Sequence, residues 1–262
     1  MSAPLLTAEE IVVRFGGVVA LDGVDFTADA RAITGLVGPN GAGKTTLFGI
    51  LSGLLRPRAG RVSFDGTDIT RASPQRRSRL GIARTFQRLE LFGEMTVREH
   101  LVVAHRVRMR RDRSLLRDLV GLGSRPTLDE DETIAGILEL VGLDAVAEQP
   151  VILLPLGTGR IVEIARALAT APRIVLLDEP TSGLDVHETE QVASALRAAR
   201  DDRGVAFVVV EHDVELVLEL CEAITVLDFG RVIARGTPSE IRASTDVQTA
   251  YLGTRAAEDV AP

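Results

Sequence analysis

The segment Gly38-Pro39-Asn40-Gly41-Ala42-Gly43-Lys44-Thr45 constrains this chain more than any other. It fits the pattern G-x-x-x-x-G-K-[ST]. It lies between an apolar run, Ala32 to Val37, that reads as a strand, and an amphipathic stretch, Thr45 to Leu55, that reads as a helix. Such a strand–loop–helix unit cradles phosphate. Its glycines let successive backbone N–H groups curl round phosphate oxygens, and the helix N-terminus adds a positive dipole. Lys44 then reaches the β- and γ-phosphates, and Thr45 can ligate Mg²⁺. The thirty basic residues comprise twenty-nine arginines and one lysine, and that lysine is Lys44. A compact ammonium fits inside a phosphate cradle where a planar guanidinium does not.

A second segment completes the chemistry. Ile174-Val175-Leu176-Leu177 reads as a buried strand that delivers Asp178 and Glu179 at its C-terminal end, where ligands of open α/β sheets bind. Asp178 is the candidate for holding Mg²⁺, and Glu179 for polarising an attacking water. Val205 to Val210 is a further core strand. Ile224–Leu227 and Arg231–Ala234 flank Asp228-Phe229-Gly230 as an antiparallel hairpin. Thr237-Pro238-Ser239-Glu240 has the spacing of a capping box and opens a final helix, and the tail after Leu252 is expected to fray. From about 96 to 166 helical patterns dominate, which predicts a helical subdomain inserted into the α/β body. Arg106, Arg108, Arg110, Arg111, Arg113 and Arg117 crowd into one stretch of it, read as a solvated helix face or mobile loop offset by Asp112 and Asp118, with contact to a partner or to lipid headgroups as the alternative.

Composition mainly excludes. With 262 residues and 45% hydrophobic content the chain suffices for one or two packed domains. A net charge of −7 and 3% aromatics argue against a nucleic-acid partner. The single Cys221 forms no intramolecular disulfide, and no Cys/His cluster has metal-ligand spacing, which fits a reducing compartment. Glu9 and Glu10 near the start and the lack of any long uninterrupted apolar run argue against secretion and membrane spanning.

The order Gly38–Thr45, Gln87, Leu154–Thr158, Leu177-Asp178-Glu179-Pro180, Ser182-Gly183-Leu184-Asp185 and His212 resembles the nucleotide-binding subunit of ABC transporters over nearly the whole chain. The resemblance implies a P-loop NTPase of α/β class with an inserted helical subdomain and an antiparallel β portion, one ATP-binding domain over 1–262. Residues of about 1–95 and 167–236 would form the catalytic core. Those of about 96–166 would form the helical subdomain carrying the signature, and 237–262 a short C-terminal helix and tail. ATP and Mg²⁺ are the implied ligands. Gly38, Pro39, Asn40, Gly41, Ala42, Gly43, Lys44, Thr45 and Thr46 would hold phosphate, and Phe15 would stack on adenine. Gln87 would contact Mg²⁺ and the attacking water with Thr45 and Asp178, and His212 would touch the γ-phosphate beside Glu179. Asp185 would lie at the interface with a second subunit, whose γ-phosphate the backbone N–H of Gly157 would meet.

One position departs from the pattern. The usual Leu-Ser-Gly-Gly-Gln signature here reads Leu154-Pro155-Leu156-Gly157-Thr158, without the serine hydroxyl and the glutamine. A lost charge-assisted hydrogen bond is worth about 1.5–3 kcal/mol, or one to two decades of rate if it acts in the transition state. Arg14–Leu21, Gly81–Gln87, Glu211-His212-Asp213, Val226–Gly230 and Ala250-Tyr251-Leu252-Gly253 look like the ATP-binding subunits of branched-chain amino acid importers. That branch implies a translocase subunit on the cytoplasmic face of the membrane. Its partners would be permease subunits and a second cassette, identical or paralogous, and it would not touch the transported solute itself. A urea or amide importer, or an ATP-dependent regulatory dimer with little hydrolysis, is the alternative.

Overall fold

The computed structural model describes residues 4–85, 89–109 and 128–258. Strand β1 (Leu6–Phe15) buries Leu6, Ala8, Ile11 and Val13 on one face, as expected of a sheet covered on one side. It pairs antiparallel with β2 (Val18–Ala28) and β4 (Ala59–Phe64), and the short β5 (Thr67–Asp68) completes a four-stranded sheet of order β2-β1-β4-β5. The second sheet has six strands. Its parallel members are β3 (Ile33–Val37), β6 (Ile82–Arg84), β7 (Ile174–Asp178), β8 (Ala206–Val210) and β9 (Ala223–Asp228), with β10 (Arg231–Gly236) antiparallel on the β9 edge, in the order β10-β9-β3-β8-β7-β6. Every residue of β3 and β8 is buried, so both read as continuous aliphatic runs without alternation.

Alternate side chains of this central sheet feed two cores. Leu176 and Val208 face Leu6, Phe26 and Val62 of the antiparallel sheet and Leu47 and Ile50 of helix α1 (Lys44–Ser52). Leu177 and Val209 point the other way, toward a helical layer. That layer comprises α3 (Val97–Met109), α4 (Leu128–Leu140), α5 (Leu156–Ala169) and α6 (Val186–Arg203). Helix α2 (Pro74–Leu80) precedes β6, α7 (Val214–Leu220) joins β8 to β9, and α8 (Pro238–Ala243) and α9 (Thr245–Glu258) end the described chain. Each fully buried Leu, Val or Ile in these cores contributes roughly 1.5–3 kcal/mol relative to exposure. The β-sheet order therefore brings the C-terminal ends of β3, β7 and β8 side by side.

Several expected boundaries shift for local reasons. Helix α1 begins at Lys44 and stops at Ser52, short of Leu55, because Gly53 takes φ 82° and returns its N–H to the Ile50 carbonyl. The hairpin turns through Phe229 at φ 42° and Gly230 at φ 76°, the left-handed pair that suits a two-residue turn. Thr237 and Glu240 form the capping box of α8. Where the sequence predicts a frayed tail after Leu252, helix α9 continues to Glu258, with Tyr251 packed against the core on the helical side of the central sheet, and 259–262 lie outside the described residues. The arginine stretch is not simply a solvated face either. Arg106 grips Glu130 of α4 through two bonds of 2.9 and 2.8 Å. Arg108 donates to the Thr170 and Ala171 carbonyls at the end of α5, both at 2.6 Å. Arg110, Arg111, Arg113 and Arg117 lie outside the described residues.

Arg77, only 1% exposed, anchors the first core. Its guanidinium donates to the carbonyls of Ile50 and Leu51 at 2.7 Å each, of Ile69 at 2.8 Å and of Ala72 at 3.2 Å. Burial pulls its pKa down to about 10. Without it the Leu51 carbonyl at the end of α1 would lose this donor, at a cost of about 1–3 kcal/mol, and the Ile50 carbonyl would keep only the Gly53 N–H. Arg77→Ala is therefore expected to lower unfolding free energy in urea by about 3–5 kcal/mol. A loss under 1 kcal/mol would show that water takes over these carbonyls.

Candidate nucleotide-binding site

The loop between β3 and α1 is shaped by glycines that no other residue can replace. Gly38 takes φ 154°, and a Cβ there would lie 2.2 Å from the Leu227 carbonyl oxygen. Gly43 takes φ 104°, and a Cβ there would meet the Ala20 carbonyl at 2.8 Å. Gly230 donates its N–H to the Ala42 carbonyl at 3.0 Å, so the hairpin tip holds the loop from outside. Helix α1 opens with no side-chain cap and no acidic residue in its first turn. Its leading N–H groups are thus left for an anion.

Lys44 lies inside this loop, 8% exposed, with its Nζ donating to the carbonyls of Gly38 at 2.5 Å and Pro39 at 3.0 Å. Burial pulls its pKa down, opposed by the charges of Glu179, Asp178 and Glu211. Those carboxylates are therefore its electrostatic neighbours, brought from β7 and β8 by the sheet. Asp178 shifts the opposite way: burial, then the Glu179 and Glu211 charges, raise its carboxyl, with Arg84 and Lys44 counteracting. Glu179 sits at φ 48°, a left-handed conformation that a non-glycine residue adopts at a cost of about 1–3 kcal/mol. Its N–H is tied to the Val210 carbonyl at 2.9 Å and its carbonyl accepts from Ser182 N–H at 3.2 Å, which holds the strained turn in place.

Glu211 is the functional residue that reading by motif did not single out. It is fully buried just beyond β8, accepts from the Thr181 N–H at 3.1 Å and hydroxyl at 2.7 Å, and accepts from the His212 N–H at 3.3 Å. It fastens the loop after Glu179 to the residue before His212. An acidic residue directly after five buried strand positions was the available signal, since a carboxylate so placed must find donors.

The remaining predicted residues fall as follows. Phe15 ends β1 with 52% of its surface exposed, free to stack on a flat ring. Asn40, Gly41 and Thr45 are exposed, Pro39 and Thr46 half-buried and Ala42 buried, all on the loop or first helical turn. His212 projects outward, its Nδ1 3.6 Å from Glu211 Oε2. Asp185 caps α6 and is exposed, and Gly157 is buried in the first turn of α5. Gln87 lies outside the described residues. A cleft of about 400 Å³ opens between α2, β6, α3 and α5, lined among others by Gln75, Ala83, Arg84, Ala104, Glu163 and Arg166.

The residues present fit a magnesium-bound nucleotide. Three carboxylates at the C-terminal ends of β7 and β8 repel one another, and a divalent cation would relieve that repulsion. Among the described residues no group of three or more His, Cys, Asp and Glu could hold an ion by itself. Thr45 and Asp178 would supply the protein ligands, with phosphate oxygens and water completing the shell.

A parallel sheet with a glycine loop on a helix N-terminus, a buried lysine and an Asp-Glu pair at the end of the next strand but one defines a nucleoside-triphosphate-binding protein. Comparison with known proteins makes this specific. Residues 21–182 match the ABC transporter family and residues 231–257 the branched-chain amino acid ATP-binding cassette transporter family. The chain belongs to the ABC transporter family and is one of its ATP-binding cassettes. It is 37% identical over 258 residues to the high-affinity branched-chain amino acid transport ATP-binding protein BraF of Pseudomonas aeruginosa, covering 97% of this chain and 99% of that one. It is 36% identical over 255 residues to LivG of Escherichia coli K12, a protein of the same description, with 97% and 99% covered. The ADP conformation of MJ1267, an ATP-binding cassette of an ABC transporter, superposes with a TM-score of 0.83 at 31% identity, covering 96% of this chain and 100% of that one.

Because Asp178 is half-buried among like charges, Asp178→Asn should raise the nucleotide-free melting temperature while abolishing activity. A lower melting temperature would mean that the attraction to Lys44 outweighs this repulsion. Amine-selective acylation should label only Lys44 and the N-terminal amine, and saturating ATP should shield Lys44. Equal labelling with and without nucleotide would refute its phosphate contact.

Proposed function

We propose that the chain is the ATP-hydrolysing subunit of an importer, energising uptake of branched-chain or similar hydrophobic amino acids. The observation that carries this is the segment 231–257, which matches a family named for that transport and forms β10 and the helices packed behind it. The solute itself would be held by other subunits. No described helix is long and apolar enough to cross a membrane, and in this reading permease subunits would carry the solute across. The cleft between α2, β6, α3 and α5, where the α/β core meets the helical layer, would offer such a partner a place to act on both at once. In this reading the subunit works at the cytoplasmic face of the membrane.

Two copies, or this chain and a paralogue, would close face to face, each ATP lying between one loop 38–45 and the other subunit's α5. Phe15 would stack on the adenine, and the α1 amides and Lys44 would bind phosphate. Magnesium, when bound, would neutralise charge on the β- and γ-phosphates. Glu179 would accept a proton from the attacking water, positioned by the strained turn that Val210 and Glu211 hold. His212 and Gln87 would contact the γ-phosphate and the water, and Asp185 would face the second subunit. Hydrolysis would reopen the pair, and closure would drive the permease.

A second reading, a regulatory dimer with little turnover, is favoured by one observation. Pro155 caps α5 with no side-chain hydrogen bond, where the family signature carries a serine. Steady-state ATP turnover with a copurified permease separates the two. The motor reading expects Lys44→Ala to lose about 10²–10³-fold, and Glu179→Gln to lose about 10²–10⁴-fold while trapping an ATP-bound dimer. Turnover no higher than that of Lys44→Ala, with and without permease, would leave the regulatory reading standing.

A further inference from the structure

The two helix N-termini that the proposed function aims at phosphate are not equivalent. Helix α1 keeps its first amides free of side-chain caps. Helix α5 also has no cap of its own, since Pro155 has no donor or acceptor side chain and its first turn contains no acid. Yet its Gly157 N–H is already bonded to a carboxylate from another helix, Glu188 Oε1 of α6, at 3.1 Å. The second oxygen, Oε2, accepts from the Asp185 N–H at 3.3 Å, while the Glu188 N–H donates to Asp185 Oδ1 at 2.8 Å. One carboxylate therefore caps two helices. The fit is close: a Cβ on Gly157 would stand 2.8 Å from both Cβ and Cγ of Glu188.

We infer that Glu188 is an internal anion that occupies the phosphate-binding amide of Gly157 in the single subunit, and that ATP-driven closure must displace it. The inference rests on the dimer reading above, and it supplies that reading with a threshold. A helix N-terminus attracts one anion at a time to a given N–H. When the γ-phosphate held by a second copy approaches Gly157, the Glu188 carboxylate competes for the hydrogen bond and repels the incoming charge. Its capping box with Asp185 remains available as an alternative resting place, so release does not leave the carboxylate unpaired. Glu188 is thus a positioning residue, acting by fixing α5 against α6 until enough ATP is bound. The loss of the signature serine sharpens the effect, because the backbone amide becomes the principal donor left at that turn.

The test uses the full chain carrying Glu179→Gln, which keeps ATP intact, and reads the ATP concentration at half-maximal dimerisation by sedimentation. Adding Glu188→Ala is expected to lower that midpoint about tenfold, equivalent to about 1.4 kcal/mol. Adding Glu188→Gln, which preserves the capping box but removes the charge, should lower it by a smaller factor. A midpoint at or above that of the parent overturns the inference. If melting shows that Glu188→Ala is not folded, Glu188→Gln decides by the same criterion. A purely structural role would weaken dimerisation in both variants. A parent that forms no dimer at saturating ATP sinks the dimer reading and this inference together, whereas a parent dimer with an unmoved midpoint sinks only the inference. In the nucleotide-free chain, hydrogen exchange at the start of α5 should quicken in Glu188→Ala, and unchanged exchange would also count against it.

Discussion

The ammonium of Lys44, folded back onto the carbonyls of Gly38 and Pro39, is the contact on which the site depends. It is largely withdrawn from water, and that withdrawal is tolerable because two carbonyls and three nearby carboxylates stabilise the positive charge. The glycines make the loop tight enough to reach the ammonium, and the tightness excludes any Cβ at positions 38 and 43. The same ammonium moderates the mutual repulsion of Asp178, Glu179 and Glu211. Its hydrogen bonds are to backbone carbonyls, so it is pre-organised for phosphate without being locked to a single carboxylate.

Around that contact the fold stores free energy locally and offsets it elsewhere. Glu179 is held in a left-handed conformation, and Asp178 is kept half-buried beside like charges. Both conditions disfavour the nucleotide-free chain, and the surrounding cores and the Arg77 anchor compensate. Glu211 is the link: a buried carboxylate from the neighbouring strand, it holds Thr181 and the His212 backbone in one arrangement. The strained turn fixes the direction of the Glu179 backbone without relying on a flexible loop, as the proposed role in hydrolysis would need.

Much of this was legible in the linear sequence. Continuous aliphatic runs marked β3, β7 and β8, because strands buried on both faces cannot alternate. The loop 38–45 announced its chemistry through residue types that only phosphate binding requires in that order. Capping-box spacing placed the start of α8. Boundaries were less legible: whether α1 continued to Leu55 depended on Gly53 turning left-handed, which its sequence neighbours do not dictate. The four-stranded antiparallel sheet was implied only by resemblance, as its strands gain their stability from partners far along the chain. Arg106 looked like a solvated charge until α4 brought Glu130 beside it.

The sequence by itself determined that Lys44 sits in a glycine-rich loop of the phosphate-binding pattern, that Asp178 and Glu179 end a buried strand, and that these belong to an ATP-binding cassette. Periodicity and local backbone chemistry suffice for that, because each motif is contiguous. Only the tertiary structure decided which carboxylates surround the ammonium, that Glu211 braces the turn, and that Glu188 of one helix already sits on the amide of another. Those relations join residues tens to hundreds of positions apart. Their energies depend on burial and on distances of about 3 Å, which chain order does not specify.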